Sequence, residues 1–143
     1  MQDLRSLIER CNAEDEKRVI EDFRFMEQQK IKKSLGPRLW EELNKAFVEH
    51  CEEISKSSSH NLIAENEGIY FLSVIDRKTG REAVLKYDPD VPCVHYHTPA
   101  QKGEFTFRVS SDGNSLDFLV EGISRSIGDI VAITISQIIV EFR

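Results

Sequence analysis

Three residues capable of metal ligation and proton transfer alternate at Cys93-x-His95-x-His97. In a β-strand, alternate residues share a face with side chains about 6.5–7 Å apart, a separation from which two imidazoles can converge on one cation. A bound metal ordinarily takes a third protein ligand. Glu104 and Glu121 are the acidic candidates, and both depend on a strand order that spacing does not give, so no metal is assigned. Histidine also titrates near neutral pH, so His95 and His97 together with Arg108 and Asp117 make a candidate ligand-binding site for a small anion or organic acid. The plainer reading of the same residues is a solvated strand face. Exposed histidines are common, and Arg108 opposite Asp117 is a cross-strand ion pair worth roughly 0.2–1 kcal/mol.

Other constellations carry less chemistry. Glu104 opposite Glu121 sets like charges together, which marks the end of a hairpin more simply than a cation site. Tyr70 opposite Tyr87 reads as core packing rather than a pocket wall. There is no glycine-rich phosphate loop, G-x-S-x-G elbow, H-E-x-x-H helix or Asp/Asn-rich calcium loop. No cofactor is implied, and catalysis is the less favoured reading. Cys11, Cys51 and Cys93 are odd in number and widely spaced, which fits ordinary buried thiols rather than a disulfide framework or a zinc knuckle.

The element that must position the candidate site is a β-hairpin spanning Gly103–Gly122. Asp112-Gly113 is favoured in a two-residue type I′ loop, where both central positions need φ > 0. Setting Ser111 opposite Asn114 pairs Val109 with Leu116, Phe107 with Phe118 and Phe105 with Val120 on one face, and Arg108 with Asp117 on the other. A one-residue slip would turn every apolar side chain outward. Val94 and Tyr96 should follow that aromatic face inward, leaving His95 and His97 beside the row of Thr106, Arg108, Asp117 and Glu121.

Upstream, Ile69 to Ile75 and Arg81 to Asp88 form a hairpin about Thr79-Gly80. Its register sets Asp76 opposite Arg81 and gathers Tyr70, Leu72, Val74, Ala83, Leu85 and Tyr87 on one face. Leu62-Ile63-Ala64 is a short first strand. Phe71, Ile75 and Val84 lie on the second face with Ser73, Glu82 and Lys86, so part of that face is also covered.

The N-terminal third is helical. Leu4, Leu7, Ile8 and Cys11, then Val19, Ile20, Phe23 and Met26, recur at helical spacing, with Asn12 either dividing two helices or lying within one. Gly36-Pro37 ends this segment, glycine being favoured just past a helix and proline at the start of the next. Trp40, Leu43, Phe47, Cys51 and Ile54 form the stripe of a second helix, and the two make a helical hairpin over residues 1–57. Ser55 to His60 is a polar linker. At the far end, Ser126 and Asp129 resemble a capping box, and Ile127, Val131, Ile135, Ile138 and Phe142 form a closing helix over 126–142, although Val131, Ile133 and Ile135 also alternate as a strand would.

The expected fold is α+β, one domain over residues 1–143: two N-terminal helices, an antiparallel meander sheet of four to five strands over 61–122, and a C-terminal helix packed on it. A chain of this length can bury roughly two-thirds of its unfolded surface. The net charge of −6 argues against nucleic-acid binding, Lys30, Lys32, Lys33 and Arg38 being a helix-end cluster. No apolar run approaches the roughly 18 residues of a bilayer span, and no secretory signal opens the chain, so no membrane partner is expected and the location is read as cytoplasmic. The functional expectation is a non-catalytic protein-interaction or homodimeric module, touching a protein partner or itself through the helices and one sheet face. The alternative is a ligand-binding or enzymatic domain with its site at His95, His97 and Arg108.

Overall fold

The apolar stripe that includes Trp40, Leu43 and Phe47 does not open a new helix. In the computed structural model, which describes residues 4–139, helix α1 runs unbroken over Leu4–Ser57, passing through both Gly36 and Pro37. This corrects the expected helical hairpin, and the reason is local. Gly36 is buried with its α-carbon against the sheet, where a β-carbon would lie 2.4 Å from the Tyr87 hydroxyl oxygen. The glycine permits close approach and does not cap a helix end. Pro37 sits on the exposed side, where the one intrahelical bond it cannot donate frees a carbonyl to water. Asn12 lies within the helix.

Seven antiparallel strands follow in meander order: β1 (Leu62–Asn66), β2 (Phe71–Asp76), β3 (Glu82–Asp88), β4 (Cys93–His97), β5 (Lys102–Val109), β6 (Leu116–Val120) and β7 (Ile123–Arg125). The expected registers hold. Asp76 N–H donates to the Arg81 carbonyl, and Val109 pairs with Leu116, Arg108 with Asp117 and Phe107 with Phe118.

Two details differ from expectation. The turn at Asp112-Gly113 has positive φ only at Gly113, and Gly113 N–H donates to the Ser110 carbonyl, while the Asp112 carboxylate holds the loop through Ser110 Oγ and Asn114 N–H. A side-chain-braced turn therefore replaces the two-residue mirror turn without changing the register. The mirror turn appears one connection later. Glu121 and Gly122 have φ of 52° and 78°, and Val120 pairs with Ile123, which adds β7 beyond the expected four to five strands. Glutamate is an uncommon occupant of that position, so the turn carries little sequence signal.

Helix α2 (Ile127–Ile139) begins with the expected capping box: Asp129 N–H donates to Ser126 Oγ, and Ser126 N–H donates to an Asp129 carboxylate oxygen. Helical periodicity prevails over strand alternation here, burying Ile130, Val131, Thr134, Ile135 and Ile138. Phe142, expected on the same stripe, lies outside the described residues.

Both helices contribute to one core with the inner sheet face. Leu39, Trp40, Leu43, Phe47 and Cys51 of α1, the buried face of α2, and Leu72, Val74, Ala83, Leu85, Tyr87, Val94, Phe105, Phe107, Leu116 and Phe118 form a continuous apolar cluster. Trp40 stacks on Tyr87 at 5.7 Å and donates its indole N–H to the Ile69 carbonyl at 2.8 Å. Burial pushes the Cys51 thiol up to about 11. The Tyr87 hydroxyl is pushed up to about 12, by burial first and then by Tyr70, Asp88 and Cys93. Among the described residues, no helix is long and apolar enough to cross a membrane.

Candidate functional site

With the inner face packed, the pleat turns Cys93, His95 and His97 to the other face of β4, as their alternation with Val94 and Tyr96 required. Register then decides their neighbours. On the β3 side Lys86 lies opposite His95 and Val84 opposite His97; on the β5 side Glu104 lies opposite His95 and Lys102 opposite His97. His95 is thus flanked by one cation and one anion, whereas His97 is flanked by Val84 and a lysine.

Glu104 was one of two possible third ligands in the sequence, and strand order selects it. Cys93, His95 and Glu104 each offer a ligand atom within 4.8 Å of the others. The Cys93 Sγ is 3.4 Å from His95 Nε2, and His95 Nδ1 is 3.8 Å from a Glu104 carboxylate oxygen. His95 and Glu104 are exposed, so the contact between them by itself contributes little. Cys93 is buried. Its thiol is raised above its ordinary value by burial first, then by the negative charges of Glu104 and Asp88.

Arg108 and Asp117 do not join this cluster. Along β5, Arg108 stands four residues beyond Glu104, about 13 Å at ordinary strand rise. Arg108 and Asp117 face each other in the β5–β6 ladder, but among the described residues they form no ion pair, both side chains being exposed. The candidate site over His95, His97, Arg108 and Asp117 therefore divides into two patches. The histidine patch borders an open groove of about 550 Å³ lined by Phe71, Val84, Lys86, His95, His97, Lys102 and Glu104, and Arg108 is outside it.

Two further polar sites escaped the sequence reading. Asp76 is fully buried and accepts hydrogen bonds from His60 Nδ1 at 2.7 Å, Lys78 N–H at 3.1 Å, Asn61 N–H at 3.2 Å and Thr79 Oγ1 at 3.2 Å. Burial alone would raise the carboxyl, but the bonds from His60, Lys78, Asn61 and Thr79 outweigh it and hold it below its ordinary range. This is a structural clasp between the start of β1 and the β2–β3 turn. The available signal was an aspartate opening a turn, whose side chain reaches the N–H two residues on. The second site lies under α2, where Thr98 Oγ1 bonds Gln137 at the rim of a cavity of about 40 Å³ lined mainly by Tyr96, Phe105, Val120, Ile130 and Ile133. It holds a few waters at most and is far below the roughly 300 Å³ of an organic-ligand pocket.

The largest anomalous surface is on α1. Every residue from Leu4 to Gln28 is exposed, including Leu4, Leu7, Ile8, Val19, Ile20, Phe23, Phe25 and Met26. Compared with family models, curated proteins and solved structures, the chain matches none.

Proposed function

We propose that the protein is a self-associating interaction module whose contact element is the exposed arm of α1, residues 4–30, paired antiparallel with the arm of a second copy. The observation that carries this reading is the exposure of large apolar side chains at helical spacing along an arm about 40 Å long. An isolated helix gains too little from its own hydrogen bonds to hold such a stripe in water, and a second helix offers the complementary surface.

Spacing and charge favour a second copy as the occupant. The clusters Leu4, Leu7, Ile8, Cys11 and Val19, Ile20, Phe23, Met26 are nearly symmetric about Asp15. A two-fold axis there lays each cluster of one arm on the opposite cluster of the other. The arm carries Arg5, Arg10, Lys17, Arg18, Arg24 and Lys30 against Glu9, Glu14, Asp15, Glu16, Glu21, Asp22 and Glu27, so two arms meet without a large net repulsion. An axis at Asp15 sets Glu14-Asp15-Glu16 of each copy against the same run of the other, and Lys17 and Arg18 of both copies flank it.

Light scattering across a dilution series tests this. The expected mass is twice the 16.5 kDa of one chain, falling to one chain in Phe23→Glu. Oxidation separates the two orientations: in Val19→Cys the antiparallel pair cross-links Cys11 to the new thiol, while a parallel pair cross-links Cys11 to itself in the parent. A parent that stays at monomer mass at every micromolar concentration would sink the proposal. The reading with a ligand at His95, His97 and Arg108 is weakened by the separation of Arg108 from the histidines.

A further inference from the structure

We propose that Cys93, His95 and Glu104 form a binding site for a divalent transition metal of the zinc class on the outer face of the sheet, with its fourth coordination position open to the groove. Two of the three ligands come from alternate positions of β4 and the third from the residue directly opposite His95 on β5, so the backbone spacing is fixed by the sheet. In a tetrahedral zinc site, bond lengths of about 2.3 Å to sulfur and 2.0–2.1 Å to nitrogen or oxygen put the ligand atoms about 3.3–3.6 Å from one another. The Sγ to Nε2 distance of 3.4 Å already meets that requirement. Glu104 approaches the ring at Nδ1, 3.8 Å away, and with one ligand atom of each residue within 4.8 Å of the others, rotation of its exposed side chain brings the carboxylate to the metal.

The donor set selects the metal. One thiolate, one imidazole and one carboxylate suit zinc or cobalt, while magnesium and calcium take oxygen throughout. Binding displaces the Cys93 thiol proton to solvent and leaves a sulfur–metal bond. Thiolate and carboxylate then balance the dication. The remaining charges facing the site are Lys86, opposite His95, and Lys102, one same-face position along β5 from Glu104. They disfavour a bare cation but favour a water or small anion as fourth ligand. Asp88, opposite Cys93, is engaged through Oδ1 by the N–H groups of Asp90 and Val91.

The same three side chains also stand in the order of a nucleophile, base and orienting acid. That assignment fails on access. Cys93 is only 2% exposed, so a substrate carbonyl cannot approach the sulfur, whereas a metal ion needs only the position between the sulfur and His95.

The test is a titration of the full chain carrying Cys11→Ser with Co²⁺, followed by Zn²⁺ competition. The expected result is a thiolate-to-cobalt charge-transfer absorption that saturates at one equivalent, is reversed by Zn²⁺ and is lost in Cys93→Ser. His95→Ala and Glu104→Gln should each weaken binding roughly 100-fold or more, and Arg108→Ala should leave it unchanged. No such absorption at saturating Co²⁺, its persistence in Cys93→Ser, or parent-like affinity in both His95→Ala and Glu104→Gln would overturn the site. If Cys93→Ser does not fold, the other two decide alone, since both side chains are more than half exposed and their removal spares the core.

Discussion

The two halves of α1 present similar apolar side chains at similar spacing and meet opposite fates. In residues 4–30, Leu4, Phe23, Phe25 and Met26 are each at least 60% exposed; in residues 31–57, Trp40, Leu43, Phe47 and Cys51 are at most 2% exposed. Helix propensity does not distinguish them, because the backbone is continuous. What differs is the presence of a sheet beneath, and the transition falls at Gly36, the first fully seated residue. Periodicity in a sequence identifies which face of a helix is apolar. It carries no information about what covers that face.

The largest expected effect sharpens this contrast. Trp40→Ala should lower unfolding stability by about 3–5 kcal/mol in urea titration, because it removes a buried ring stacked on Tyr87 and a hydrogen bond to the Ile69 carbonyl. Phe23→Ala, measured at a concentration where chains are monomeric, should change it by no more than about 0.5 kcal/mol. Equal losses would show that the two halves are equally supported and would break the comparison. Next in size is the boundary itself. Gly36→Ala drives a β-carbon into the Tyr87 hydroxyl and should cost about 1–3 kcal/mol. Tyr87→Phe alone should be nearly neutral, since that buried hydroxyl has no hydrogen-bond partner among the described residues, and in combination with Gly36→Ala it should recover most of the loss. Simple additivity in this double-mutant cycle would mean that the close approach is not what seats the helix. The smallest effect belongs to Pro37→Ala. Restoring an N–H to the exposed side of a continuous helix should raise stability by about 0.5–2 kcal/mol, and a loss in thermal unfolding would show that the proline shapes the helix to its seat.

The hairpin register, the inner face and the capping box were legible because each rests on two agreeing local signals: alternation with a turn residue, or periodicity with a cap. Gly36-Pro37 was misread because the same dipeptide that ends helices can also serve close packing, and only the position of Tyr87, far along the chain, separates the two uses. The turn at Glu121-Gly122 was missed because its glutamate adopts a conformation that the residue seldom does. For the candidate site, pleat geometry placed His95 and His97 on the outer face. The identity of the third ligand was not legible, since it depends on β5 lying beside β4 in one register, and that is a property of the folded sheet.

The meander has a consequence for the order in which the protein can fold while it is being made. Every strand pairs with its sequence neighbours, so each hairpin closes a short loop soon after its residues emerge. The seat of α1 is different, because it spans β1, β5 and β6. Trp40, Leu43 and Phe47 are synthesised early, yet Phe107 and Phe118 of their core follow only after the intervening strands. At about 5–20 residues per second, the nascent chain spends seconds with its largest helical apolar surface incompletely covered. During that interval the C-terminal half is covered first by β1 and by Tyr87, and completion of the sixth strand finishes the difference between the two halves.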